Sequence, residues 1–121
     1  MTGSRYLMIV SNDLLFRSRV EAVRSGFHGE VIVQGNVNDL LPSSVVVLDC
    51  NRQVEHQLAV LAGMPAAIRS AVTVVAVCSH VDTATRATMK AIGVSVICTN
   101  GSMQRVLARI LGKELNDASH T

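Results

Sequence analysis

The chain reads as a doubly wound α/β domain, a five-stranded parallel sheet with helices on both faces, and three observations carry that expectation. Short apolar runs rich in Val and Ile alternate strictly with segments whose apolar residues recur at helical spacing, along a chain of 121 residues. Such alternation calls for right-handed crossovers and hence parallel strands. The runs are apolar throughout, as in strands buried on both faces. Hydrophobic residues make up 49% of the chain, yet it holds one Tyr, two Phe and no Trp. The core is therefore built from Val, Leu, Ile, Ala and Met, which suits a helix-covered sheet.

Taken in order, Tyr6-Leu-Met-Ile-Val10 predicts the first strand, and Phe16, Val20, Val23 and Phe27 mark a helix capped by Asn12 or Asp13. Gly26 and Gly29 bracket a turn into Val31-Ile-Val33. A short helical turn around Asn38 to Leu41, stopped by Pro42, leads to the strand Val45 to Leu48. Val54, Leu58 and Leu61 form the next helical stripe, ended by Gly63 and Pro65. Val72 to Val77 is the fourth strand, Asp82 or Thr83 caps a helix running to Gly93, and Val94 to Cys98 is the fifth strand. Ser102 caps the last helix, whose Met103, Val106, Leu107, Ile110 and Leu111 sit at i, i+3, i+4, i+7 and i+8. One domain over 1–121 follows, without linker or repeat, with a frayed tail from about Asn116.

Composition narrows the function. A formal charge of +2 is too weak to argue for nucleic acid. No apolar run approaches the ~18 residues of a membrane span, and the N-terminus lacks the long apolar stretch of a signal peptide, so a cytoplasmic location is expected. Cys50, Cys78 and Cys98, an odd number with no Cys-x-x-Cys pair, fit reduced thiols in such a compartment.

The most telling stretch is Val45-Val46-Val47-Leu48-Asp49-Cys50-Asn51. An unpaired carboxylate in an apolar core costs several kcal/mol, so a strand of this kind that ends in Asp carries it to the carboxyl edge of the sheet. Asp49 is expected at the mouth of the fold, where open α/β sheets keep their chemistry. The alternative is a strand-end Asp that only caps the following helix.

The order of parts resembles the receiver domains of bacterial response regulators over essentially the whole chain. Val74-Val-Ala-Val-Cys-Ser-His-Val-Asp-Thr-Ala-Thr-Arg-Ala-Thr-Met-Lys-Ala-Ile-Gly-Val looks like the receiver's fourth strand, its Ser/Thr-Ala switch and the helix ending in Ala-Gly-Ala. The resemblance implies strand order 2-1-3-4-5, Asp49 in the phospho-acceptor position, and Asn51 where backbone helps hold a metal ion. It also implies a docking and dimerisation surface on the fourth helix, fifth strand and fifth helix.

The chain departs from that pattern at the groups the chemistry needs. Where the family carries an acidic pair that helps hold Mg²⁺, this chain has Ser11 and Asn12, a hydroxyl and an amide. Asp13 stands one position late and is read as the helix cap in preference to a metal ligand. The family's Lys before Pro falls at Asn100, followed by Gly101, and an amide does not pair with a phosphoryl group as an ammonium does. The switch hydroxyl falls at Cys78, a poor donor, with Ser79 beside it as a partial substitute. Phosphoryl transfer is nearly all positioning and charge neutralisation, so Asp49 alone is expected to be a poor acceptor.

The preferred reading is a receiver-like interaction module without enzymatic activity, Mg²⁺ or other cofactor. Its alternative is a phosphorylatable single-domain regulator using Asp49, with metal held by Asp13 and Asp49. Flavin or nucleotide binding would need a glycine-bearing phosphate loop after the first strand, and Ser11-Asn-Asp-Leu-Leu has none. The three thiols end neighbouring strands and are weighed as a soft-metal or redox site against simple core filling. His28, His56, His80 and His120 form no catalytic arrangement by their order. Arg105, Arg109 and Lys113 make a basic row on the last helix, and Arg86 with Lys90 a second on the helix before it. These rows are candidate contacts for an acidic protein partner or a second copy in a homodimer; the alternative is a solvated face, and direct nucleic-acid binding is not expected.

Overall fold

The computed structural model describes residues 5–27, 29–51 and 53–119, with side chains as far as residue 112. Five parallel strands, β1 (Arg5–Val10), β2 (Gly29–Val33), β3 (Val45–Asp49), β4 (Thr73–Cys78) and β5 (Val96–Thr99), pair in the order 2-1-3-4-5. The helices are α1 (Leu14–Glu21), α2 (Val54–Ala62), α3 (Ala66–Ala71), α4 (Thr83–Ala91) and α5 (Met103–Ser119). This is the doubly wound, flavodoxin-like α/β architecture, with β1, β3 and β4 interior and β2 and β5 at the edges. Among the described residues no helix is long and apolar enough to cross a membrane.

The pleat explains why the strands are apolar throughout. Leu7, Ile9, Val45, Val47, Val75 and Val77 point to one face, where Phe16 and Val20 of α1 and Met103, Leu107 and Leu111 of α5 cover them. Met8, Val10, Val46, Leu48, Val74 and Ala76 point to the other, under Leu61 of α2 and Met89 of α4. The interior strands β1, β3 and β4 thus carry apolar side chains at successive positions.

Local signals set the ends of the helices. Asp13 caps α1, its Oδ1 accepting the amides of Leu15 and Phe16 at 2.9 and 3.3 Å. Asp82 caps α4 in the same way, accepting from the amide of Thr85 at 3.0 Å. At the other end of α4, Gly93 takes φ 92° while its N–H donates to Lys90 and that of Val94 to Met89. This is a Schellman closure, completed by buried Val94 and Met89 in one apolar cluster. Because Val94 closes the helix, β5 begins two residues later than the apolar run predicts.

Other boundaries differ from expectation too. The first helical stripe breaks after Glu21, and Arg24–Gly26 forms a separate 3₁₀ turn that carries Phe27 to the core. The expected turn after β2 is a 3₁₀ turn over Val37–Asp39. Helix α3 departs from the expectation that Pro65 ends the helical segment: Pro65 stands at the cap position, just before the first turn of a six-residue helix. Ser102 stands at the cap position of α5, its carbonyl accepting from Val106 at 3.0 Å, but its hydroxyl turns back to accept from the Thr99 amide at 3.1 Å. Helix α5 runs to Ser119, and its side chains beyond residue 112 lie outside the described residues.

Candidate functional site

The carboxyl ends of β1 and β3 lie side by side, since Val10 pairs with Leu48, and this brings Ser11 against Asp49. Ser11 Oγ donates to Asp49 Oδ2 at 2.6 Å and accepts the Asp13 amide at 3.0 Å. Asp49 Oδ1 accepts from the Asn51 amide at 3.2 Å and from Asn51 Nδ2 at 2.8 Å. Asp49 is thus held by a hydroxyl and two N–H groups of short, fixed reach. It lines a cavity of about 140 Å³ with Ser11, Asn12, Asp13, Gln53 and Gln57. The expectation of a position at the mouth needs one correction: the residue ends its strand as predicted, but it is only 5% exposed.

Amides form the surroundings of this carboxylate. Asn51 and Asn100 exchange two N–H···O bonds, each 2.8 Å, in a closed amide pair that ties the β3 end to the β5 end. The Asn100 carbonyl also accepts from Arg19 Nη2 at 3.1 Å, so α1 is bonded to the same loop. On the other side Asn12 donates to Gln53 Oε1 at 3.1 Å and accepts from Gln34 Nε2 at 2.7 Å. Gln34 and Gln53 both have left-handed backbones, φ 52° and 53°. Non-glycine residues pay about 1–2 kcal/mol to sit there, so the rim is held against a local backbone preference.

The remaining pocket positions do not converge on Asp49. The Cys78 thiol is free and buried beside the free, buried thiol of Cys50, on the face of the sheet covered by α2 and α4. Ser79 is half-buried and its hydroxyl accepts the Val81 amide at 3.4 Å. Cys98 belongs to the opposite apolar face. Burial, then the neighbouring Cys78, raises the Cys98 thiol to about 11 and pushes Cys50 still further up. Burial also raises Cys78. Among the described residues no three His, Cys, Asp or Glu side chains are grouped to hold a metal ion.

The basic rows lie on both flanks of the edge strand β5. Arg105 and Arg109 are exposed on α5, and Lys90 is exposed on α4, which covers the other face. Arg86 is half-buried and donates to the His80 carbonyl at 2.8 Å. The side chain of Lys113 and residues His28 and His120 lie outside the described residues. His56 and His80 are exposed.

Three residues of the site escaped the sequence reading: Gln34, Gln53 and Gln57. A signal existed for Gln57, which falls three residues after Val54 and four before Leu61, on the apolar stripe of α2. It is 1% exposed, its Nε2 donates to the Val10 carbonyl at 3.2 Å, and among the described residues its Oε1 has no hydrogen-bond partner. For Gln34 and Gln53 the decisive feature is backbone conformation, which their residue type does not announce.

No protein-family profile matches the chain, and no curated protein matches it. Among solved structures it is similar to a pilus assembly protein, CpaE, from Caulobacter crescentus, with a TM-score of 0.58 and 17% identity over 93% of this chain and 95% of that one. The likeness supports the doubly wound α/β fold described above.

Proposed function

We propose that this chain is a receiver-like signalling domain acting as a protein interaction module, in which Asp49 anchors a fixed hydrogen-bond network and does not accept phosphate. The observation that carries this reading is the set of donors on Asp49: among the described residues all are hydroxyl or amide groups. A metaphosphate-like transition state needs neutralising cations near its equatorial oxygens. The amide of Asn100, where the resemblance puts an ammonium, is spent on Asn51.

Mg²⁺ does not suit these residues. Asp13 Oδ1 is committed to the first amides of α1, Ser11 spends its proton on Asp49, and the Asn12 oxygen accepts from Gln34. A hard dication prefers several carboxylate and carbonyl oxygens that are free to reorient. The reading therefore includes no cofactor and no enzymatic activity. We place the partner contact on the flanks of β5, where Arg105, Arg109, Lys90 and Arg86 would meet an acidic protein surface or a second copy in a homodimer, in the cytoplasm. At 17% identity, the likeness to the pilus assembly protein leaves partner choice to this chain's own surface.

Incubation with acetyl phosphate and Mg²⁺, followed by intact mass measurement, tests the proposal. An unchanged mass is expected, whereas stoichiometric acid-labile phosphate on Asp49 would overturn it.

A further inference from the structure

We propose that the cavity beside Asp49 is a socket for a primary ammonium group, the tip of a lysine side chain offered by a partner protein. Asp49 is 5% exposed and is bonded, among the described residues, only to neutral donors. A carboxylate so far from bulk water gains from a cation brought to it. Gln57 lines the same cavity, 1% exposed, and among the described residues Oε1 is left with no donor, while Nε2 is turned to the Val10 carbonyl. A buried amide oxygen without a partner costs about 1–3 kcal/mol, which a ligand N–H would recover. The cavity, about 140 Å³, is lined by Asp49, Asp13, Gln53 and Gln57 together with Ser11 and Asn12.

Geometry selects the form of the cation. Asp49 already receives donors on both carboxylate oxygens, so no free edge remains for the two-pronged fork of a guanidinium. A compact ammonium needs one lone pair at each acceptor and reaches them along a thin aliphatic stem. The first residues of α1 favour a protein as its source. Leu14 and Leu15, next to Asp13, are 70% and 69% exposed, an apolar step beside a charged socket. The inference extends the interaction-module reading to a second contact, and its test uses no phosphodonor, so the two fail separately.

The test is an NMR titration of the intact chain, following the side-chain amides of Asn51 and Gln57. The probes are ethylammonium, tetramethylammonium, Mg²⁺, and an acetylated peptide with a central lysine or norleucine. Saturable shifts with ethylammonium and with the lysine peptide are expected, the peptide binding about tenfold or more tightly. Tetramethylammonium, which carries charge but no N–H, and the norleucine peptide should give none. Asp49→Asn and Gln57→Leu should each weaken lysine-peptide binding about tenfold or more; if the second variant does not fold, the first decides. Equal responses to tetramethylammonium or Mg²⁺, or no saturable response, overturn the proposal. Ethylammonium binding as tightly as the peptide overturns the protein as the source.

Discussion

Ser11 and Asp49 stand 38 residues apart in sequence and share a 2.6 Å hydrogen bond at the carboxyl ends of adjacent strands. The hydroxyl gives its proton to the carboxylate and takes the amide of Asp13, which in turn caps α1. One serine therefore joins β1, β3 and the start of α1. A serine at this point bonds Asp49, where a carboxylate would repel it.

Removing that bond should destabilise the fold. Ser11→Ala leaves a buried carboxylate oxygen and the Asp13 amide short of a partner, for an expected loss of about 1–3 kcal/mol in urea unfolding. Asp49→Asn keeps the shape and lets the Ser11 hydroxyl reorient, so a shift below about 1 kcal/mol is expected. A large stabilisation in Asp49→Asn would reveal a crowded acidic pocket that these contacts do not contain.

Restoring charge should create what the present residues lack. In the triple variant Ser11→Asp, Asn12→Asp, Asn100→Lys, four carboxylates line one cavity, the two introduced together with Asp13 and Asp49, and an ammonium replaces the Asn51–Asn100 amide pair. Calorimetry should then detect Mg²⁺ binding absent from the parent chain. Equal Mg²⁺ affinity in parent and variant would contradict the part assigned to these positions.

The thiols predict an alkaline limit. Burial holds Cys98 near 11 against an ordinary 9.0, and Cys50 shifts in the same direction. A raised folded value favours the neutral thiol, so this stability is complete below pH ~9. Above that the unfolded chain ionises first, and stability falls until pH passes the folded value, by at most about 1.4 kcal/mol per pH unit for each thiol. Urea midpoints at pH 8 and pH 10 should therefore differ more in the parent than in Cys50→Ala/Cys98→Ala. Parallel declines in both would remove the thiols from the cause.

Charge reversal at Arg105 and Arg109 should leave the fold intact, since both are exposed on α5. It should abolish recovery of an acidic partner or shift a dimer equilibrium seen by sedimentation. Unchanged behaviour in both assays would return the row to solvation.

The sheet was legible because runs such as Val45 to Leu48 leave little choice of structure, and the pleat then assigns Val46 and Val47 to opposite faces. Asp49 was legible as the one charge at the end of such a run. The boundaries were less so: Val94 looks like a strand residue but is bound to Met89 in the closure of α4, and α3 is too short for its spacing to declare it. The amide network was hidden for another reason. Asn12, Gln34 and Gln53 meet through two left-handed backbone positions, and no pattern of residue types along the chain encodes that meeting.

The central claim, that Asp49 is a structural anchor and not a phosphate acceptor, is tested most directly by an amide-shift titration with Mg²⁺ and beryllofluoride, a phosphoryl mimic. The account predicts that the amides of Ser11, Asn51, Ser79 and Asn100 stay in place at millimolar concentrations of both. Saturable movement of those amides, dependent on Mg²⁺ and lost in Asp49→Asn, would contradict it.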